Sequence, residues 1–366
     1  MRVPFSYLEE QFKDHRVYLD QISEVVTTGD YTLGQAVTEF EQRFAALLGA
    51  KYAIGVNSGT DALFLSLKAM GVGPGDEVIT TPNTFIATVG AIVAAGARPV
   101  FVDCNDEYVI NADLIEPAIT SRTRAIMPVH YAGVAADMDK IMTVARRHGL
   151  PVIEDACQAI LGALHGKCAG TFGLTGAFSL HPLKNLNVWG DSGVIITDSE
   201  EIRDRLVLLR NHGLLNRDEV VCFGYNSRLD TIQAAVGNHL IQEIHWITET
   251  RIKWANRLDQ ALSQLSGCIT VPRRRPHKRY VHHLYMVQAR DRDKLLAFLQ
   301  NCGIEAKVHY PIPLHLQRCS AHLGYKAGDF PTTEGLAQSI ITLPAHQHLK
   351  EEHIDYLVEK TREFYS

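Results

Sequence analysis

From Tyr52 to Glu154, short apolar runs alternate with helical patterns at close spacing. This alternation constrains the chain more than any other feature. Tyr52–Val56, Glu77–Thr80, Pro99–Val102, Ala125–Val129 and Val152–Glu154 read as strands. Asp61–Met70, Phe85–Ala95, Ala112–Ile119 and Asp137–His148 read as the helices between them. Strands linked through helices by short connections run parallel, and a parallel sheet must be covered on both faces. The expected fold is therefore α/β, a mostly parallel sheet sandwiched by helices. Ligands of such sheets bind just beyond the carboxyl ends of the strands. Residues at those ends are the first candidates for chemistry.

Beyond Lys184 the pattern changes. Gly193–Thr197 reads as a strand and Glu200–Leu209 as a helix. One long helical pattern runs from about Thr231 to Leu265 and is expected to span the join between two domains. His283–Gln288 and Ala306–Val308 then read as strands, and Asp293–Cys302 and Glu351–Glu363 as helices. A chain of 366 residues exceeds what one small core needs. The expectation is a large domain over 1–245 and a smaller α+β domain over 246–366.

Charge and cysteine usage exclude several classes. The formal net charge is −5, so no global field attracts nucleic acid or an anionic membrane. Arg273, Arg274, Arg275, Lys278 and Arg279 form the one basic run, read either as a solvated loop or as a contact to a phosphorylated ligand. The seven cysteines (Cys104, Cys157, Cys168, Cys222, Cys268, Cys302, Cys319) are scattered and odd in number, against a disulfide framework or a structural zinc site. The opening MRVPFSYLEEQF lacks the apolar core of a signal peptide, so a reducing cytoplasm is expected. Val78–Ala97 carries no charge but contains Pro82, Asn83 and four threonines, and it reads as a buried strand–helix unit.

Four segments could carry chemistry. In Ser179-Leu-His-Pro-Leu-Lys184, a lysine follows a strand end in apolar company, where desolvation would lower its pKa and leave a nucleophilic amine. A loop lysine reaching for solvent fits that segment equally well. In Val152-Ile-Glu-Asp155-Ala-Cys-Gln158, an acid directly after a strand can pair with a ring nitrogen or cap a helix. Asn57-Ser-Gly59-Thr60-Asp61 joins a strand to a helix, and its free N–H groups can cradle an anion. Phe85 follows another strand end and reads as a stacking ring or as core. His130, Tyr131, His181 and Trp189 carry the same ambiguity. No HExxH, Walker A, GxSxG or strand-linked GxGxxG motif appears, and no metal is expected.

In joint order and spacing, these segments resemble the DegT/StrS-type sugar aminotransferases of the fold-type I, aspartate-aminotransferase-like enzymes. Further matching segments are Gly29–Gly34, Phe40–Phe44, Gly73–Val78, Pro128–Gly133, Arg210–Gly213, Gly224–Arg228 and Tyr310–His315. The resemblance covers nearly the whole chain. It implies pyridoxal 5'-phosphate as cofactor, with pyridoxamine 5'-phosphate as its aminated form. Lys184 matches the family's Schiff-base lysine and Asp155 the acid at the pyridinium nitrogen. Gln158 matches the residue facing the ring oxygen and Phe85 the stacking aromatic. Gly59, Thr60 and Ser179 match phosphate ligands, and Asn226 matches the phosphate ligand donated by a neighbouring subunit.

That last match implies a homodimer with shared active sites. His212, Tyr310 and His315 fall in segments bordering the sugar pocket. The implied reaction moves an amino group from L-glutamate or glutamine to a keto-sugar, expected to be nucleotide-linked, as the basic run hints. A cyclitol ketone is an alternative substrate, and a non-catalytic regulator an alternative role, since fold does not fix function. Relatives with His in place of the lysine are dehydratases; Lys184 favours transamination. Where many relatives have GEGG or GDGG, this chain has Gly190-Asp-Ser192-Gly193 behind Trp189, a departure expected to alter the pocket floor.

Overall fold

The first sheet is built from β1 (Tyr52–Val56), β2 (Glu77–Thr80), β3 (Arg98–Phe101), β4 (Thr123–Ile126), β5 (Ile153–Asp155), β6 (Thr175–Ser179) and β7 (Gly193–Thr197) in a computed structural model describing residues 1–366. A four-stranded ladder, β1-β7-β6-β5, and a three-stranded ladder, β3-β2-β4, are joined by parallel bridges at Ile126–Val152 and Val129–Asp155. All strands run parallel except β7, which is antiparallel to both β1 and β6. Helices α1 (Arg16–Thr28), α2 (Gln35–Leu48), α3 (Gly59–Ala69), α4 (Ile86–Ala94), α5 (Met138–His148) and α6 (Glu200–Arg210) belong to this part of the chain. The near-continuous burial of β2, β6 and β7 is what a sheet covered on both faces requires.

Local chemistry explains both the agreements and the departures. Ser58 is extended and its Oγ accepts from Asp61 N–H at 3.0 Å, so α3 starts at Gly59, earlier than the apolar pattern suggests. The uncharged stretch Val78–Ala97 forms β2 and α4. The helix expected at Ala112–Ile119 is instead two 3₁₀ turns, Ala112–Leu114 and Glu116–Ala118. Pro117 lacks the N–H that a continuous α-helix would use. No helix is long and apolar enough to cross a membrane.

The long helical pattern divides into α7 (Thr231–Leu240), a 3₁₀ turn at Ile241–Glu243, and α8 (Ile244–Leu262). Ile244 and Ile247 of α8 pack with the sheet-side core, whereas Trp254, Ala255, Leu258 and Leu262 enter a second, C-terminal core. That core covers an antiparallel sheet of β8 (Ile269–Thr270), β9 (Tyr285–Ala289) and β10 (Ile340–Leu343), with α9 (Arg292–Asn301) and a C-terminal helix, Glu351–Tyr365. Ala306–Val308, expected as a strand, contributes only a bridge from Lys307 to Thr342. Val3 is fully buried in this second core and bridges Ile304, so the N-terminus packs with residues from the far end of the chain.

Four of the five side chains of the basic run are tied up internally, and Arg273 is exposed without a partner. Arg274 pairs with Asp259, Arg275 and Lys278 with Glu107, and Arg279 with Glu249. Those four serve the packing of the chain rather than an open phosphate contact.

Candidate active site

The carboxyl ends of β1, β5 and β6 converge on one cavity of about 310 Å³. Gly59, Thr60, Phe85, Asp155, Gln158, Ser179, Lys184 and Tyr310 all line it.

Lys184 sits in a loop whose backbone is anchored on every side. Leu180 N–H bonds Ser192 O, Val188 N–H bonds Leu180 O, and Lys184 N–H bonds His181 O at 2.8 Å. Asn185 Nδ2 donates to Val281 O, and Tyr7 Oη donates to the Lys184 carbonyl at 2.8 Å. Leu186 and Val188 pin the loop in the core. By contrast, Nζ makes no hydrogen bond or ion pair. Burial lowers the Lys184 pKa, while the Cys157 thiol and Asp155 oppose that shift. The net shift is towards the neutral, nucleophilic form of the amine. Burial also pushes the Cys157 thiol well up, which keeps it protonated.

Asp155 closes β5 and is buried. Its Oδ2 accepts from Thr88 Oγ1 at 2.7 Å, and its Oδ1 from Cys157 N–H at 3.2 Å. Thr88 in turn contacts Thr84 Oγ1 at 2.9 Å, in the loop that leads into α4. Glu154 points the other way. It takes three backbone N–H bonds, from Gly170, Phe172 and Gly173, and pairs with His130 Nε2 at 2.8 Å. His130 Nδ1 accepts from Ala136 N–H, so the ring proton lies on Nε2 and is donated to Glu154. The pair is structural.

Gln158 Oε1 accepts from Ala132 N–H at 2.7 Å, which orients the amide and leaves its NH₂ end free. At the start of α3, Asp61 N–H is capped by Ser58, but Gly59 and Thr60 N–H have no acceptor. These two donors at a helix N-terminus suit an anion. A side chain at Gly59 would place its Cβ 2.6 Å from Ser179 Cβ, so glycine is what lets the β6 end close the cradle. Phe85 is 50% exposed at the cavity wall, with its ring 5.9 Å from that of Tyr310. Covering an aromatic ring is worth about 1.5–3 kcal/mol, which makes Phe85 a ready stacking platform.

The structure does not bring the other expected residues into this cavity. His315 is buried elsewhere, bonded to Glu334 at 3.0 Å and packed on Phe330. His212 is exposed at the base of the 214–223 excursion, and Asn226 is exposed opposite Asn211. Ser192 and Trp189 do not line the cavity. Ser192 Oγ donates to Asp191 O, and Trp189 packs on Phe12 and Tyr18, so both departing residues lie behind the wall, to which only the neighbouring Asp191 contributes. Tyr7, Thr88, Arg251 and His283 line the cavity without having been singled out. Only Thr88 carried a signal, as a hydroxyl in the first turn of the helix that follows a strand end.

An amine, an opposed acid, an aromatic platform and an anion cradle on one cavity fit a phosphorylated aromatic aldehyde. A model of the DegT/DnrJ/EryC1/StrS aminotransferase family matches residues 14–362. The chain belongs to this family. Similar proteins include a pleiotropic regulatory protein of Geobacillus stearothermophilus, 43% identical across 100% of this chain and 99% of its own length. Another is the dTDP-3-amino-3,4,6-trideoxy-alpha-D-glucose transaminase of Streptomyces venezuelae, 38% identical over 99% of this chain and 96% of its own. Among solved structures, S. venezuelae DesV in complex with a ketimine intermediate superposes with a TM-score of 0.95 at 38% identity, covering 99% of this chain and 98% of that one. As a family member with this fold, the chain is an aminotransferase whose sheet, with β7 reversed, is the fold-type I sheet.

Proposed function

We propose that this sugar aminotransferase takes an amino group from L-glutamate or glutamine and places it on a nucleotide-linked keto-sugar, working as a homodimer with two shared active sites. The single observation that carries the reading is that the unpaired Lys184 amine and the buried Asp155 carboxylate face one cavity. The cofactor is pyridoxal phosphate, which when bound supplies a sink for the electrons left as a proton departs from carbon.

The residues divide that work. Gly59 and Thr60 N–H, with the Thr60 and Ser179 hydroxyls, would hold the phosphate. Phe85, the Gln158 NH₂ and Asp155 would orient the ring, by stacking, by a hydrogen bond to its oxygen and by a pair with its nitrogen. Held by Thr88, Asp155 stays oriented to keep that nitrogen protonated. Lys184 Nζ would be the group that anchors the cofactor. As the base of the site, its amine would take the proton from the donor's α-carbon and, in the second half-reaction, return one to the sugar carbon. Exposed Asn226 is read as a phosphate ligand for the neighbouring subunit. The fully exposed Phe223 ring nearby, with Val220 and Val221, supports a contact there between copies.

The name of the transaminase relative supports a nucleotide-linked sugar; the name of the regulatory relative raises a non-catalytic role. Glutamate or glutamine should be supplied with a panel of nucleotide-linked 3-keto and 4-keto sugars and with a cyclitol ketone. Amination of a nucleotide sugar is the expected result. Amination of the cyclitol alone would move the substrate class. A normal cofactor spectrum with no turnover in any arm would favour the regulatory role.

A further inference from the structure

A buried arginine is costly unless something neutralises it. Three arginines are less than one-tenth exposed: Arg210, Arg251 and Arg292. Arg210 pairs with Glu41 and Arg292 with Asp293. Arg251, on α8, has no carboxylate. Its Nε donates to Gln347 Oε1 at 3.0 Å, and its Nη1 reaches the carbonyls of His282 at 3.2 Å and His283 at 3.4 Å. Its Nη2 is buried with no acceptor. The residue lines the cavity shared by Lys184 and Asp155.

The guanidinium is held in place by a directional chain of amides. Gln347 Nε2 donates to Gln11 Oε1 at 3.0 Å, and Gln11 Nε2 donates to Asn187 Oδ1 at 2.6 Å. Asn187 donates to Pro182 O, inside the Lys184 loop. Tyr7 gives the second tie: its hydroxyl holds the Lys184 carbonyl, and its ring centre lies 5.0 Å from the guanidinium carbon. The orphaned N–H edge therefore stands one aromatic side chain away from the lysine backbone. His283 adds an unpaired Nδ1 on the same wall.

We propose that Arg251 receives a carboxylate of the amino donor. The inference rests on the transaminase reading and adds to it the residue that selects the donor. Donor and keto-sugar use the cavity in turn, and the donor is the one that always carries a carboxylate. A planar guanidinium with a free N–H edge matches that group. Neutral surroundings sharpen the match. Burial, with help from nearby cations, lowers His309 to about 4 and His346 to about 3, so neither competes for the anion at pH 7.

The test follows the cofactor's absorbance in stopped flow for each half-reaction separately, with wild-type, R251Q and R251K holoenzymes. R251Q should raise the half-saturating L-glutamate concentration about 30-fold or more, and R251K by a smaller factor. The keto-sugar half-reaction should stay within about threefold of wild type. Unchanged glutamate saturation, or equal losses in both half-reactions, would overturn the proposal. If wild type does not respond to any amino acid, the transaminase reading itself fails. Titration calorimetry with glutarate then decides for Arg251: binding that R251Q lacks supports a carboxylate site, and equal or absent binding refutes one. Should R251Q not fold, R251K carries the same comparison.

Discussion

Thr88 Oγ1 donates a 2.7 Å hydrogen bond to Asp155 Oδ2, linking the first turn of α4 to the end of β5. The bond turns a buried acid into an oriented one. Asp155→Asn removes the charge opposite the ring nitrogen and should cost several orders of magnitude in kcat, each tenfold being about 1.4 kcal/mol of barrier. Thr88→Val keeps the charge but frees the carboxylate. Steady-state kinetics should show kcat down about tenfold with little change in KM. A Thr88→Val enzyme at full rate would show that the orientation is unimportant.

Lys184→Ala should abolish turnover and the long-wavelength absorbance of the bound cofactor; an active variant would reject its role. Lys184 also makes a pH prediction. Its folded pKa lies below the ordinary lysine value because of burial, with Cys157, Asp155 and His283 facing it. The folded state thus binds fewer protons than the unfolded state between the two pKa values, and stability rises with pH through that window. Cofactor-free Lys184→Met should melt higher than wild type at pH 7, and the gap should narrow towards pH 10. A gap independent of pH would contradict this.

Shared active sites can be tested by complementation. Lys184→Ala and Asn226→Asp homodimers should each be impaired, in turnover and in cofactor affinity respectively. Unfolding and refolding a 1:1 mixture makes hybrids with one intact site, which should recover about a quarter of wild-type activity. Absence of recovery, with hybrids seen by native mass spectrometry, would place Asn226 outside the partner's site.

Lys278 and Glu107 form a 2.9 Å pair in which both side chains are buried. Lys278→Met strands the carboxylate, although Arg275 and Tyr280 also reach it. Chemical denaturation should show a loss of about 2–4 kcal/mol. KM for the sugar should stay within about twofold, since Lys278 is spent on Glu107; a large KM change would restore a ligand role for it.

Much of this architecture is local and so was legible in the chain. Apolar alternation, Ser58 ahead of a helix, and acids or hydroxyls after strand ends follow from periods and caps that neighbouring residues impose. These signals located Asp155, Ser179, Gly59, Phe85 and Lys184, which the fold then gathered around one cavity. The reversal of β7, the entry of Val3 into the C-terminal core, and the closure of the cavity by Tyr7, Arg251 and His283 were not legible. Each depends on which distant segments meet, and a helix pattern does not reveal that one of its arginines lacks a carboxylate. His315 makes the same point in reverse, because its neighbours in sequence border the site while its side chain is spent on Glu334 and Phe330. Local sequence determined which groups stand at the ends of elements; only long-range packing decided which of them share a water-poor space, where charge and desolvation give them chemistry.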